Sequence, residues 1–261
     1  MKIILFLTFL LVSAFANHKV AISEINGQLK IQNGGPFDYT IDLKDPFKLV
    51  DGSNQLLAVA TLVANPDPKK IYNIGLGMAC YERNLLHLLP ELSITSVDID
   101  HDCIQEYGKV YHKYLKTIVP KEEATPPRFR IHPGDGKDML TQIEDTIVDI
   151  ITVDILDSNW DSPKNLLFDK SFFSHAAEHL IPSGSIVVTL YQAGVNQIRR
   201  IKTDSGLKQA IHLTFQPGDK SAQAKVSVLV LSDKISCSRL QEAHEFFGET
   251  INIQKPNCKQ I

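Results

Sequence analysis

Four short stretches end on residues that can hold a nucleoside or move a proton. "YNIGLG" closes on Gly75 and Gly77, "SVDID" carries Asp98 with Ile99 beside it, "HPGDG" carries Asp135 and Gly136, and "VDIITVDILD" carries Asp154 and Asp157. Two glycines at a strand-to-helix turn let a ligand meet the backbone with no side chain in the way. Asp98 follows Gly77 by 21 residues, about the spacing at which an acidic residue accepts hydrogen bonds from ribose hydroxyls. Cys80 stands where the dinucleotide fingerprint has its third glycine. A carboxylate at Asp135 could accept the exocyclic amine of adenine, and Asp154 ends the fourth run, with Asp157, Asn159 and Trp160 in the loop beyond. Taken singly, the glycines are an ordinary turn and each aspartate is a helix cap or a solvated loop residue. Together they end four successive apolar runs, which fits one site better than four chance loops.

The elements that must carry these residues alternate. "KIYNIGLG", "SITSVDID", "RFRIHPGDG", "VDIITVDIL" and "GSIVVTLY" read as strands, and "AIHLTFQ" with "AKVSVLVLS" as an antiparallel pair that finishes the sheet. Between them "NQLLAVATLVA", "CYERNLLHLL", "HDCIQEYGKVYHKYL", "KDMLTQI", "DKSFFSHAAEHLI" and "VNQIRRIKTDS" have helical spacing, with Ile104, Tyr107 and Tyr111 on one face. Pro182, Ser183 and Gly184 are expected to stop the fifth helix before its strand. The expected fold is α/β: a Rossmann-like, doubly wound, mostly parallel seven-stranded sheet, preceded by a small N-terminal β-hairpin turned at Asn26-Gly27. Ligands of such sheets bind beyond the carboxyl ends of the strands, where all four stretches terminate.

The chain of 261 residues is 43% hydrophobic and 22% charged, enough to bury a large core. Its net charge of -3 offers no basic footprint for phosphates, so nucleic acid is not an expected partner. "MKIILFLTFLLVSAFA" has the lysine, apolar run and Ala-x-Ala end of a signal peptide, which predicts cleavage after Ala16 and a secreted or lumenal product with no membrane span. The remaining expected divisions are a β element at 17–50, the main domain at 51–235 and a C-terminal helix and tail at 236–261. Of the four cysteines, Cys237 and Cys258 are the favoured disulfide. Cys80 and Cys103 are read either as neighbours or as buried thiols. No ligand spacing for a metal occurs. "HEFFGET" packs either against the sheet or against a second copy in a homodimer.

"IYNIGLGMA", "SVDIDHDCIQ", "RFRIHPGDGKDML" and "VDIITVDILDSNWDSPKNLLFDKSFF" resemble, in order and spacing, the class I S-adenosylmethionine-dependent transferases. The resemblance runs from residue 55 to about 232, most closely to the branch of the spermidine synthases, and within it to methyltransferase-like proteins of the elongation-factor-methylating type. It implies that S-adenosylmethionine, or its decarboxylated form, is the cofactor. By the same likeness Gly75 and Gly77 line its methionine part, Asp98 and Ile99 its ribose, and Asp135 and Gly136 its adenine, while Asp154 and Asp157 face an unknown acceptor. Spermidine synthases carry an aspartate in the glycine turn for the donor's amine, where this chain has Met78 and Ala79. Methyl transfer is therefore the expected reaction, with aminopropyl transfer as one alternative and a non-catalytic secreted protein as another.

Overall fold

The structure, a computed structural model, describes residues 21–32, 38–116, 128–142, 147–155, 169–191, 193–215, 226–248, 251 and 253–261. The expected leader at 1–16, and Asp157, Asn159 and Trp160, lie outside them. No helix of the described residues is long and apolar enough to cross a membrane.

A small antiparallel sheet comes first: β1 (Ala21–Ile25), β2 (Gln28–Gln32) and β3 (Asp38–Asp42). Asn26 and Gly27 turn the β1–β2 hairpin at positive φ, as a two-residue loop requires. The expected hairpin thus gains a third strand, and Leu29, Ile31 and Ile41 are buried in the main core.

The main sheet is built from β4 (Lys70–Ile74), β5 (Ser93–Asp98), β6 (Phe129–Pro133), β7 (Val148–Val153), β8 (Leu180–Tyr191), β9 (Gln209–Thr214), β10 (Val226–Ser232) and β11 (Asn257–Gln260). Their order is β11-β9-β10-β8-β7-β4-β5-β6, parallel from β8 to β6 and antiparallel from β8 to β11. It has eight strands, one more than expected, because the C-terminal tail is a strand and Cys258 pairs opposite Leu213 of β9. Pro182 to Gly184 also differ from expectation: they lie within β8, where the register against β7 slips between Val148 and Ile150. A strand can carry Pro at such an irregularity, where no ladder N–H is needed.

Helices cover both faces. On one side are α1 (Gly52–Ala64), α2 (Cys80–Leu88), α3 (His101–Val110, continued by a π-helical turn Tyr111–Leu115) and α7 (Leu240–Phe247). On the other are α4 (Gly136–Gln142), α5 (Lys170–Glu178) and α6 (Val195–Ser205). Helix α1 is apolar nearly all round because it is sandwiched between the strands and α7. Helix α7 packs within the chain through Leu240, Ala243 and Phe247, the last of them in the "HEFFGET" stretch, of which Glu249 and Thr250 lie outside the described residues. Cys237 and Cys258 are joined as a disulfide, and Cys80 and Cys103 are free, buried thiols.

Candidate active site

Strand β4 sits where the chain reverses direction across the sheet, with β5 on one side and β7 on the other. That is the switch point at which open α/β sheets bind ligands. The register sets Ile74 beside Val97 and Val153, so Gly75, Asp98 and Asp154 emerge side by side. Backbone bonds lock the row: Gly75 N–H donates to Val97 O at 2.8 Å, and Asp154 N–H to Ile74 O at 2.8 Å. Gly75 has φ +100, and a Cβ there would come 2.2 Å from the Asp154 carbonyl oxygen, so only glycine fits. Gly77 has φ +50, and a side chain on it would strike the Tyr39 ring at 2.7 Å.

The Asp98 carboxylate accepts Leu76 N–H on Oδ2 at 2.8 Å and Asp100 N–H on Oδ1 at 2.9 Å. Burial raises its pKa, and these N–H groups pull it back. A carboxylate has about four acceptor positions, and the backbone N–H groups of Leu76, Asp100 and Gly77 leave part of that capacity for the ribose hydroxyls that the spacing predicts. Ile99 beside it is exposed at 71%, an apolar side chain at the lip of the crevice. Asp135 caps α4, accepting Lys137 N–H at 2.8 Å. Gly136 is explained by packing: a Cβ would meet the Ile74 side chain at 2.4 Å, so its absence brings α4 onto β4.

Asp154 is only partly exposed, and loss of solvation raises its pKa. The Tyr191 hydroxyl, at the end of β8, donates to its Oδ1 at 3.2 Å. Among the described residues no lysine or arginine forms an ion pair with Asp98 or Asp154. Two acidic groups without a cation partner among the described residues, beside a glycine turn, suit a ligand that carries both a nucleoside and a positive charge.

Tyr39 and Tyr191 escaped the sequence reading. Tyr39 enters from the small sheet, packs on Gly77 and lies near Cys103, Asp154 and Asp98; burial and those groups hold its phenol far above its usual range. Tyr191 is held likewise, by burial and then by Asp154. Tyr191 had a signal, since it ends "IVVTLY" as the aspartates end their strands. Met78 and Ala79, which stand where spermidine synthases carry the aspartate for the donor's amine, are packed in the core. Ala79 has φ 50, a left-handed conformation unusual for a residue with a Cβ, and it leads straight into α2. Asp157 lies outside the described residues.

The comparisons agree with this architecture. A polyamine aminopropyltransferase of Ruegeria sp. (strain TM1040) is 27% identical over 164 residues, which are 61% of this chain and 55% of that protein. This chain spans about half the length of the curated relatives it matches. The crystal structure of a probable spermidine synthase from Corynebacterium glutamicum ATCC 13032 superposes with a TM-score of 0.67 at 18% identity, covering 92% of this chain and 86% of the other. Human methyltransferase-like protein 13 in complex with SAH gives a TM-score of 0.52 at 15% identity, covering 76% and 88%. These likenesses establish the fold. The family follows from the match of residues 51–211, more than half of the chain, to the spermine/spermidine synthase domain model: the chain belongs to that family.

Proposed function

We propose that this chain moves an aminopropyl group from decarboxylated S-adenosylmethionine to an amine held at Asp154. The observation that carries the reading is the Asp154 carboxylate itself, short of solvent, without a cationic partner among the described residues and one hydrogen bond from Tyr191. The family and its curated relatives support aminopropyl transfer over the methyl transfer that the glycine turn suggested.

The donor supplies a sulfonium whose neighbouring carbon is open to attack: a nitrogen–carbon bond forms, the carbon–sulfur bond breaks with its electron pair left on sulfur, and methylthioadenosine departs. The protein aligns and deprotonates. Gly75 and Gly77 admit the sulfur-bearing chain against the backbone, Asp98 takes the ribose hydroxyls, and Asp154 orients the acceptor amine and receives its proton. Tyr39 and Tyr191 keep water from the carboxylates, and their raised pKa values keep both phenols neutral.

Methyl transfer is a second reading, favoured by one feature: Met78 and Ala79 lie in the core, so that part of the turn offers nothing to a donor's ammonium group. One assay separates the two. The protein is incubated with decarboxylated S-adenosylmethionine and putrescine, and separately with S-adenosylmethionine and the same amine. Spermidine and methylthioadenosine in the first reaction are expected. A methylated amine in the second alone would transfer the assignment, and silence in both with methylthioadenosine still bound would leave a binding protein.

A further inference from the structure

Beneath the site runs a second row of polar side chains, one strand period below the first. Asn73 of β4 pairs in register with Ser96 of β5 and Thr152 of β7. Two residues further along each strand stand Gly75, Asp98 and Asp154. Asn73, Ser96 and Thr152 are at most 2% exposed, and so is Glu82, which reaches them from the first turn of α2. A carboxylate in such a place is costly unless it organises its neighbours.

Its bonds are specific. Glu82 Oε1 accepts from Asn73 Nδ2 at 2.8 Å and from Ser96 Oγ at 2.8 Å. Asn73 Oδ1 in turn accepts from Thr152 Oγ1 at 2.5 Å, and Asn73 Nδ2 also donates to the Gly75 carbonyl in the turn itself. Asn73, held by Glu82, therefore ties together all three strands whose ends form the site, with Glu82 bonded to two of them and Thr152 of β7 joined through Asn73. Arg83 is turned away from Glu82: its guanidinium donates to the carbonyls of Met78 and Pro46 and to Cys80 Sγ.

We propose that Glu82 is a positioning residue of the nucleoside site: through Asn73, Ser96 and Thr152 it fixes the glycine turn, Asp98 and Asp154 relative to one another, and loss of its charge loosens all three. The ligand readout rests on the nucleoside assignment above; the network does not. The ionised carboxylate makes charge-assisted bonds to Asn73 and Ser96, which its neutral form makes more weakly. Burial lifts Glu82 to about 7. The other charged and titratable groups around it are Arg83, Cys80 and Tyr81 on α2 and Cys103 and Tyr107 on α3. Burial pushes Cys80 up to about 11 and Cys103 and Tyr107 to about 12, with Tyr81 higher still. With those thiols and phenols pushed up, Glu82 is the acid that changes charge near neutrality.

The test uses the full chain and two substitutions, Glu82→Gln and Glu82→Leu. Gln keeps an acceptor oxygen for Asn73 and Ser96 without the titration, whereas Leu removes both. Backbone amide spectra of the ligand-free protein are followed across roughly pH 5.5 to 8.5, a window that spans the Glu82 titration. In the wild type the amides of Gly75, Leu76 and Asp154 should move together with a midpoint near 7, and in Glu82→Gln that common transition should vanish. Calorimetry with methylthioadenosine, a probe whose own charge is constant over the window, supplies the second readout. Glu82→Leu should bind about fivefold or more weakly than the high-pH wild type, and Glu82→Gln, neutral at every pH, should stay near the wild type's weaker low-pH affinity with a flat profile. An unchanged amide titration in Glu82→Gln, or wild-type affinity in Glu82→Leu, would overturn the proposal. If the wild type binds no methylthioadenosine, the nucleoside assignment fails alone, and the amide titration still decides the role of Glu82.

Discussion

Asp98 does two things with one carboxylate, and the effect of removing it must be read with both in mind. Its oxygens hold the N–H groups of Leu76 and Asp100, and its remaining lone pairs are those assigned to ribose. Charge-assisted hydrogen bonds are worth about 1.5 to 3 kcal/mol each, so Asp98→Ala is expected to weaken methylthioadenosine binding at least about tenfold, measured by calorimetry. Asp154→Asn should behave differently, leaving that affinity unchanged while abolishing turnover, because the amide keeps the shape but cannot take a proton. Equal affinity in Asp98→Ala and wild type would remove the ribose assignment, and full turnover in Asp154→Asn the acceptor assignment. At this scale the sequence was legible wherever chemistry and local position coincide: glycines and acids at strand ends announce themselves within a few residues. Tyr39 and Glu82 do not. Tyr39 reaches the turn from another sheet, and Glu82 sits in an ordinary helical pattern whose inward face is revealed only by Asn73, Ser96 and Thr152 meeting it.

Elements were read well where a period is strong. The β-branched runs of β7 and β10 are buried on both faces, as an apolar run without alternation implies. Strands β3, "DYTID", and β11, "NCKQ", carry too few apolar residues to show a period, and pairing with β2 and β9 makes them strands. Strand β11 is the sheet's edge, four residues long and mostly exposed, so its own ladder holds it weakly. The Cys237–Cys258 bond, across 21 residues, supplies what the strand lacks by restricting the unfolded chain. Replacing Cys258 by Ser should lower unfolding free energy by about 2 to 4 kcal/mol and expose the amides of β11 to exchange. Denaturant titration with hydrogen exchange checks both, and wild-type stability in the variant would show that strand pairing alone secures the tail.

Across the whole molecule, the carboxylates that burial has displaced upward make stability depend on pH in a direction opposite to that of ordinary surface acids. Glu82, Asp98 and Asp154 are all raised by desolvation, Glu82 from 4.5 to about 7. As pH climbs from about 4.5 the unfolded chain releases this proton while the folded chain keeps it, so folded stability declines until pH passes about 7 and then levels. Asp169 works the other way: Lys137 and Ser171 hold it at about 2, so its contribution is present above its ordinary 3.8 and is lost only as pH falls through about 2, below the window in question. The Glu82→Gln variant isolates the first effect, because it removes one titration and leaves Asp98, Asp154 and Asp169 in place. Its melting temperature should match or lie below the wild type's well below pH 4.5, where Glu82 is protonated in both states. The variant should then gain on the wild type steadily up to about pH 7 and hold the advantage above it. Scanning calorimetry at fixed ionic strength measures the gap, and two curves that stay parallel throughout would mean that Glu82 ionises in the fold as freely as in the unfolded chain. A growing gap would instead show that the fold keeps beneath its site a carboxylate that lowers its own stability, as expected where residues are placed for ligand geometry at the expense of the core.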